Sequence, residues 1–187
     1  MGIPNIANLY MTTDLAIDAT IAGTVVGTYW FLMLIGRLAG GALGAKFSSK
    51  TMLTFVASLG ITFVLLAIFC PTDVTVSMPV FLSDISFGLA EVPISIMFLV
   101  LCGLCTSVMW GGIFNLAVEG LGKYTAAASG IFMVMVCGGG IVPLIQGYAA
   151  DSVGYISSYW VIFVCMLYML WYALIGCKNV NKNIPVE

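Results

Sequence analysis

The chain has 187 residues, of which 61% are hydrophobic and 7% charged, with six Lys or Arg against eight Asp or Glu and a net charge of −2. A soluble domain carries about 25% charged residues, and a chain of this size has too little interior to hide so much apolar surface, so a soluble globular fold is excluded. There is no basic run and no basic face with interleaved aromatics, which removes nucleic acid from the candidate partners.

The partner that this composition predicts is a lipid bilayer. A helix needs about 20 residues to cross a hydrocarbon core of about 30 Å. Residues 1–11 are too short for that and lack the basic flank and small-residue cleavage site of a signal peptide. They are expected to be the outer-side end of a helix whose beginning is missing, with Asn5 and Asn8, three apart, on one face. Full spans follow near 21–45, 52–70, 92–118, 125–150 and 156–177, predicting an all-α polytopic bundle of five crossings plus part of a sixth in a single transmembrane domain over 1–187.

The 21–45 span carries Gly36, Gly40 and Gly44 at four-residue spacing, with Gly23 and Gly27 before them, a stripe that lets another helix backbone approach closely. Tyr29 and Trp30 either face a ligand or fill a helix interface. Arg37, roughly 13 Å along the helix from Lys46, needs a partner inside the span. Glu119 is the acid nearest that level, so an Arg37–Glu119 ion pair is expected, with snorkelling of Arg37 to lipid phosphate as the alternative. The 71–91 stretch is too short and too acidic to cross, and is expected to be an interfacial or packed outer loop.

In the 92–118 span, Cys102 and Cys105 form a C-x-x-C pair, but in so apolar a setting they read as small buried hydrophobes, and no disulfide framework is implied. Ser107 and Trp110 share a helix face there, and Asn115 lies near the end of the same span. The 125–150 span contains Gly138, Gly139 and Gly140, then Pro143 and Gln146. That run removes side-chain bulk and one backbone hydrogen bond near mid-membrane, which predicts either a bending helix that lines a cavity or simple tight packing.

All six bases, Arg37, Lys46, Lys50, Lys123, Lys178 and Lys182, fall on one side of this arrangement, together with only Glu119 and Glu187 among the acids. Asp14, Asp18, Asp73, Asp84, Glu91 and Asp151 fall on the other. This positive-inside pattern puts the 46–51 and 119–124 turns and the 178–187 tail in the cytoplasm, and 12–20, 71–91 and 151–155 outside.

The spans hold no His and no central Asp or Glu, so the usual metal ligands, general bases and proton relays are missing from them. This argues against an enzyme, and no cofactor or metal is expected. What is polar within the membrane is neutral: Asn5, Asn8, Tyr29, Ser107, Trp110 and Gln146 are the candidate ligand contacts, with Asn115 and Ser129 beside them. Amides that donate and accept, next to aromatic faces, suit an uncharged polyhydroxylated ligand such as a sugar. Each single residue is equally well explained as an interhelical bond or filler.

The stretches GTYWFLMLIGRLAGGALGAKFSSK (27–50), FNLAVEGLGKYTAAASG (114–130) and GGGIVPLIQGYAAD (138–151) resemble the carboxyl-terminal half of the fucose/glucose–galactose proton symporter family, within the major facilitator superfamily. The GRLAGG segment and the basic turn from Lys46 to Lys50 are similar to that superfamily's short cytoplasmic signature between the second and third helices of each half. The resemblance implies the end of helix seven followed by helices eight to twelve, a multi-pass protein of the plasma (inner) membrane, and a cytoplasmic C-terminus. It also implies a complementary amino-terminal six-helix half, which in the family carries the acids of proton coupling. The expected function is therefore symport of a hexose-type sugar with a proton or sodium ion by a complete transporter of which this chain is half, inactive alone. The competing expectation is a small helical membrane scaffold or regulatory subunit that moves no solute.

Overall fold

The computed structural model describes residues 2–82 and 86–178, so Asp84, Lys182 and Glu187 lie outside the described residues. Helix α1 is Gly2–Thr13, α2 is Ala19–Gly44 and α3 is Ser49–Phe69. Strands β1, Thr75–Phe81, and β2, Phe87–Pro93, precede α4, Ile94–Val118. A single 3-10 turn at Gly122–Tyr124 leads into α5, Thr125–Met135, and α6, Gly138–Val153. The last helix, α7, is Tyr155–Trp171, and it closes on a π-helical turn at Tyr172–Gly176.

Polar residues start α2 and α3, and apolar ones sustain all the long helices. Asp18 caps α2 by accepting from the Thr20 N–H at 2.8 Å, and Ser48 caps α3 by accepting from Thr51 N–H at 3.2 Å. Inside the spans the hydroxyls turn back on their own helix, as Thr54, Ser58 and Thr62 do by donating to carbonyls four residues earlier. Among the described residues, five helical stretches are long and apolar enough to cross a membrane: α2, α3, α4, 122–153 taken through its break, and 155–176. Gly154 joins α6 to α7 alone, at φ +93°, a backbone that only glycine adopts without strain.

The core lies where α4 meets α2 and α3, with α7 behind α3 and α1 laid across the end of α2, α6 and α7. Leu53, Ala57 and Val64 of α3, Ile96, Leu99 and Cys102 of α4, and Val25 of α2 are all but sealed from solvent. Gly60 lets α3 close on its neighbours: a Cβ there would lie 3.2 Å from Met166 Sδ and 3.3 Å from Met109 Cε. At the far end of α3, Lys50 Nζ donates to Leu174 O at 3.3 Å, tying the start of α3 to the last turns of the chain. By contrast, α5 buries no residue at all, and Val134, Met135, Leu144 and Tyr148 of the α5–α6 region stand open.

Two stretches take a form that the sequence leaves unspecified. The 71–91 stretch, expected as an interfacial or packed outer loop, holds most of an antiparallel hairpin paired from Thr75↔Pro93 to Phe81↔Phe87. Its inward face, Met78, Val80, Ala90 and Val92, is buried, an alternation that the two prolines obscure in the sequence. Leu82 N–H donates to Ser86 O and Ile94 N–H to Val74 O. Counting by twos from these bonds puts Pro79 and Pro93 at positions whose N–H would point away from the ladder, so neither costs a rung.

The second is 125–150, which is two helices within one candidate span over 122–153. Val136 N–H donates to Met133 O, Cys137 to Val134 O, Gly139 to Val136 O and Gly140 to Cys137 O, all at three-residue spacing and 2.8–3.2 Å. The ladder therefore tightens from Val136 through Gly140, with two of the glycines as donors, and resumes further along α6. Pro143 sits inside α6 and has no N–H to offer Gly139 O.

Candidate functional site

A groove of about 480 Å³ runs between α2 and α4 on the side where α2 ends. Its walls come from Gly40, Gly41 and Gly44 on α2 and from Gly111 and Gly112 on α4, so backbone rather than side chain bounds much of it. The polar groups that reach it are Arg37, Ser49, Ser107, Trp110 and Asn115. Above the groove the two helices are in contact. A Cβ on Gly36 would overlap Ser107 Oγ and lie 3.0 Å from Leu104 O, and one on Gly40 would lie 2.9 Å from Val108 Cγ2. Below Gly40 the contact ends, for Gly41 has nothing within 4 Å and Gly44 only Met52 Sδ at 4.0 Å. Close packing at Gly36 and separation below it open the groove.

The lining can hold an uncharged polar molecule. Trp110 is 42% exposed, its ring packed on Phe132 at 5.3 Å between centroids, and it offers an apolar face beside the Asn115 amide. Ser107 donates to Leu104 O at 2.8 Å, which leaves its lone pairs to accept but spends its proton within its own helix. Arg37 is exposed and, among the described residues, brings the groove's one charge, with no carboxylate beside it.

No ion pair joins Arg37 to Glu119. Arg37 lines the α2–α4 groove, whereas Glu119, the C-cap of α4, lines a separate cavity of about 640 Å³ with Lys50, Asn115 and Lys178. The bases Lys50 and Lys178 gather around Glu119 instead, because α4 ends level with the start of α3 and the close of the chain.

The other expected ligand contacts do not converge on the groove. Tyr29 is buried, and its hydroxyl shares a 3.1 Å hydrogen bond with Thr106 Oγ1, joining α2 to α4. Asn5 is exposed and Asn8 half-buried on α1, at the opposite end of the bundle. Gln146 is fully buried beside Gly2 and Ile162, and neither its Oε1 nor its Nε2 has a hydrogen-bond partner among the described residues. Gly138, Gly139 and Gly140 have nothing within 4 Å of a Cβ position. Three residues that matter were not singled out from the sequence: Thr106, Thr28, whose hydroxyl accepts from Phe81 N–H at 2.8 Å, and Tyr159, which donates to Ile3 O at 2.9 Å. Each joins distant elements, and no spacing within one helix signals such a bond.

A family model for the Major Facilitator Superfamily matches residues 1–185. The chain is 32% identical over 169 residues to a glucose/galactose transporter of Brucella abortus biovar 1 (strain 9-941), covering 87% of this chain and 36% of that protein. It is 30% identical over 174 residues to a putative glucose/galactose transporter of Helicobacter pylori (strain J99 / ATCC 700824), covering 90% of this chain and 38% of that protein. It is 26% identical over 138 residues to an L-fucose-proton symporter of Escherichia coli (strain K12), covering 74% and 26%. The chain thus spans well under half the length of these curated relatives. No solved structure matches it.

Proposed function

This chain belongs to the Major Facilitator Superfamily, and on that premise we propose that it forms the carboxyl-terminal half of a hexose transporter that works by alternating access. The observation that carries the reading is the lining of the α2–α4 groove, where an indole face, an amide and glycine-exposed backbone meet, with no carboxylate among the described residues. The names of the similar glucose/galactose transporters favour a sugar as its occupant. Trp110 would cover the apolar face of a pyranose while Asn115 and Ser107 meet its hydroxyls. Tyr29 would hold α2 against α4 from behind, and Asn5, Asn8 and Gln146 would contribute from α1 and α6 in other conformations of the cycle.

A complementary six-helix half closes the site in this reading and carries the acids that couple uptake to protons or sodium. The protein is a multi-pass membrane protein, and the inner membrane with Lys46, Lys50, Lys123 and Lys178 at the cytoplasmic face is the arrangement we infer.

The test is sugar uptake by the complete transporter bearing changes in this chain. Trp110→Ala should weaken hexose binding by about 1–3 kcal/mol through lost apolar burial. The pH dependence of uptake should be unchanged. The isolated chain in proteoliposomes should show no concentrative hexose uptake, and vigorous uptake by it under an imposed proton gradient would overturn the half-transporter reading.

A further inference from the structure

The hairpin β1–β2 lies beside α2, not beyond its end. Phe81 N–H donates to Thr28 Oγ1 at 2.8 Å, and the Phe31 ring stacks on Phe81 at 4.8 Å between centroids and meets Phe87 at 5.8 Å. Thr28 is nine residues into α2, about 13 Å along its axis. At 26 residues α2 is about 39 Å long, about 9 Å more than a hydrocarbon core. Even if all the excess stood out at the Ala19 end, Thr28 would lie within the membrane. The partner helix agrees, for Tyr29 is level with Thr106, which is twelve residues into α4.

A two-stranded sheet has two free edges. Along β1 the free edge is turned to α2, where Phe81 N–H is satisfied by Thr28 and Pro79 has no N–H to satisfy. Along β2 the outward positions are Phe87, Leu89 and Glu91, with Pro93 beyond them. The N–H groups of those three residues find no partner among the described residues, and Phe87 and Leu89 are 66% and 77% exposed. Open sheet edges do not persist against lipid, because nothing there replaces water as a hydrogen-bond partner. Glu91 is exposed on the same edge, four residues nearer the outer end of the strand than Phe87.

We propose that the β1–β2 hairpin is a re-entrant segment that lines a water-filled path along α2, with the β2 edge at Phe87, Leu89 and Glu91 facing that water and the Phe31–Phe81–Phe87 cluster forming its floor. The proposal rests on the helices crossing a bilayer and is independent of which solute is carried. Because β2 runs directly into α4, any movement of α4 carries the edge with it.

The test uses thiol chemistry in native membranes, with the chain in its natural assembly. Phe87→Cys and Leu89→Cys should react with a charged, lipid-insoluble methanethiosulfonate at rates within about tenfold of Asp73→Cys, relative to the parental chain. A Phe31→Cys, Phe81→Cys pair should be joined by a short bifunctional thiol reagent. If Phe87→Cys and Leu89→Cys react only with a lipid-soluble maleimide, the edge faces lipid and the proposal fails. If the charged reagent reacts but the 31–81 pair is not joined, the hairpin rides above the membrane and the proposal fails in its placement. Leu89→Cys, at an exposed position, keeps the first measurement available should the aromatic cluster not tolerate change. Sugar uptake is not read in this experiment, so its outcome is separate from that of the hexose reading.

Discussion

Gly36 is a position where a single added carbon has nowhere to go, since a Cβ would overlap Ser107 Oγ and crowd Leu104 O. Gly36→Ala should therefore force α2 and α4 apart and cost about 1–3 kcal/mol, seen as a lower melting temperature in detergent. Gly41→Ala, with nothing within 4 Å of the added carbon, should instead raise the melting temperature slightly, by the about 0.5–1 kcal/mol that a helix gains when Gly becomes Ala. Asp18 supplies a second prediction. The Thr20 hydroxyl and N–H hold its carboxyl below the usual carboxylate range, so its stabilisation is present above the unfolded-state pKa and lost as pH falls through the lower folded value. Asp18→Ala should lower the melting temperature at neutral pH and cease to matter in strong acid; an equal loss at both would contradict the capping account. At this scale the sequence was legible in residue type and illegible in direction. Ser107 could be picked out as polar, but whether its proton goes to a ligand or to Leu104 O depends on the helix it sits in. Gln146 shows the same limit, since its burial beside Gly2 comes from α1 lying across α6 and no local pattern encodes that crossing.

Among the elements, those with a long uniform apolar run were readable and those with mixed signals were not. Residues 52–70 match α3 almost end to end because Ser48 and Cys70 bracket an unbroken run. The hairpin escaped because Pro79 and Pro93 signal breaks, although both occupy outward positions where a strand loses nothing. Gly138 to Gly140 with Pro143 signal either a bend or tight packing in the sequence, and the structure breaks the helix at Val136 and Cys137, where the hydrogen bonds shorten to three-residue spacing. Replacing Gly138, Gly139 and Gly140 with Ala meets no steric obstacle and should stabilise the helix by about 0.5–1 kcal/mol per site. If the break serves as a hinge, the triple variant should melt higher and transport more slowly; faster or unchanged uptake would remove the hinge from the mechanism.

For the whole molecule, the one-sided bases were the most readable feature, since charge counts need no contacts to interpret. Single cysteines at Lys50 and Lys123 should be reached by an impermeant maleimide from the cytoplasmic side only, and those at Asp73 and Asp151 from the other side only. Labelling of positions 50 and 73 from the same side would refute the topology. The contact between first and last helices was not readable at all. Tyr159 Oη donates to Ile3 O across 156 residues of chain, in a fully buried position, and Tyr159→Phe should cost about 0.5–1.5 kcal/mol. That bond sets an order on biosynthesis. A ribosome delivers α1 long before α7, so α1 must wait in the translocon or the bilayer with its Ile3 carbonyl unclaimed by Tyr159. Nascent chains arrested before Tyr155 should consequently leave α1 open to protease or quality-control recognition, and release past Trp171 should protect it.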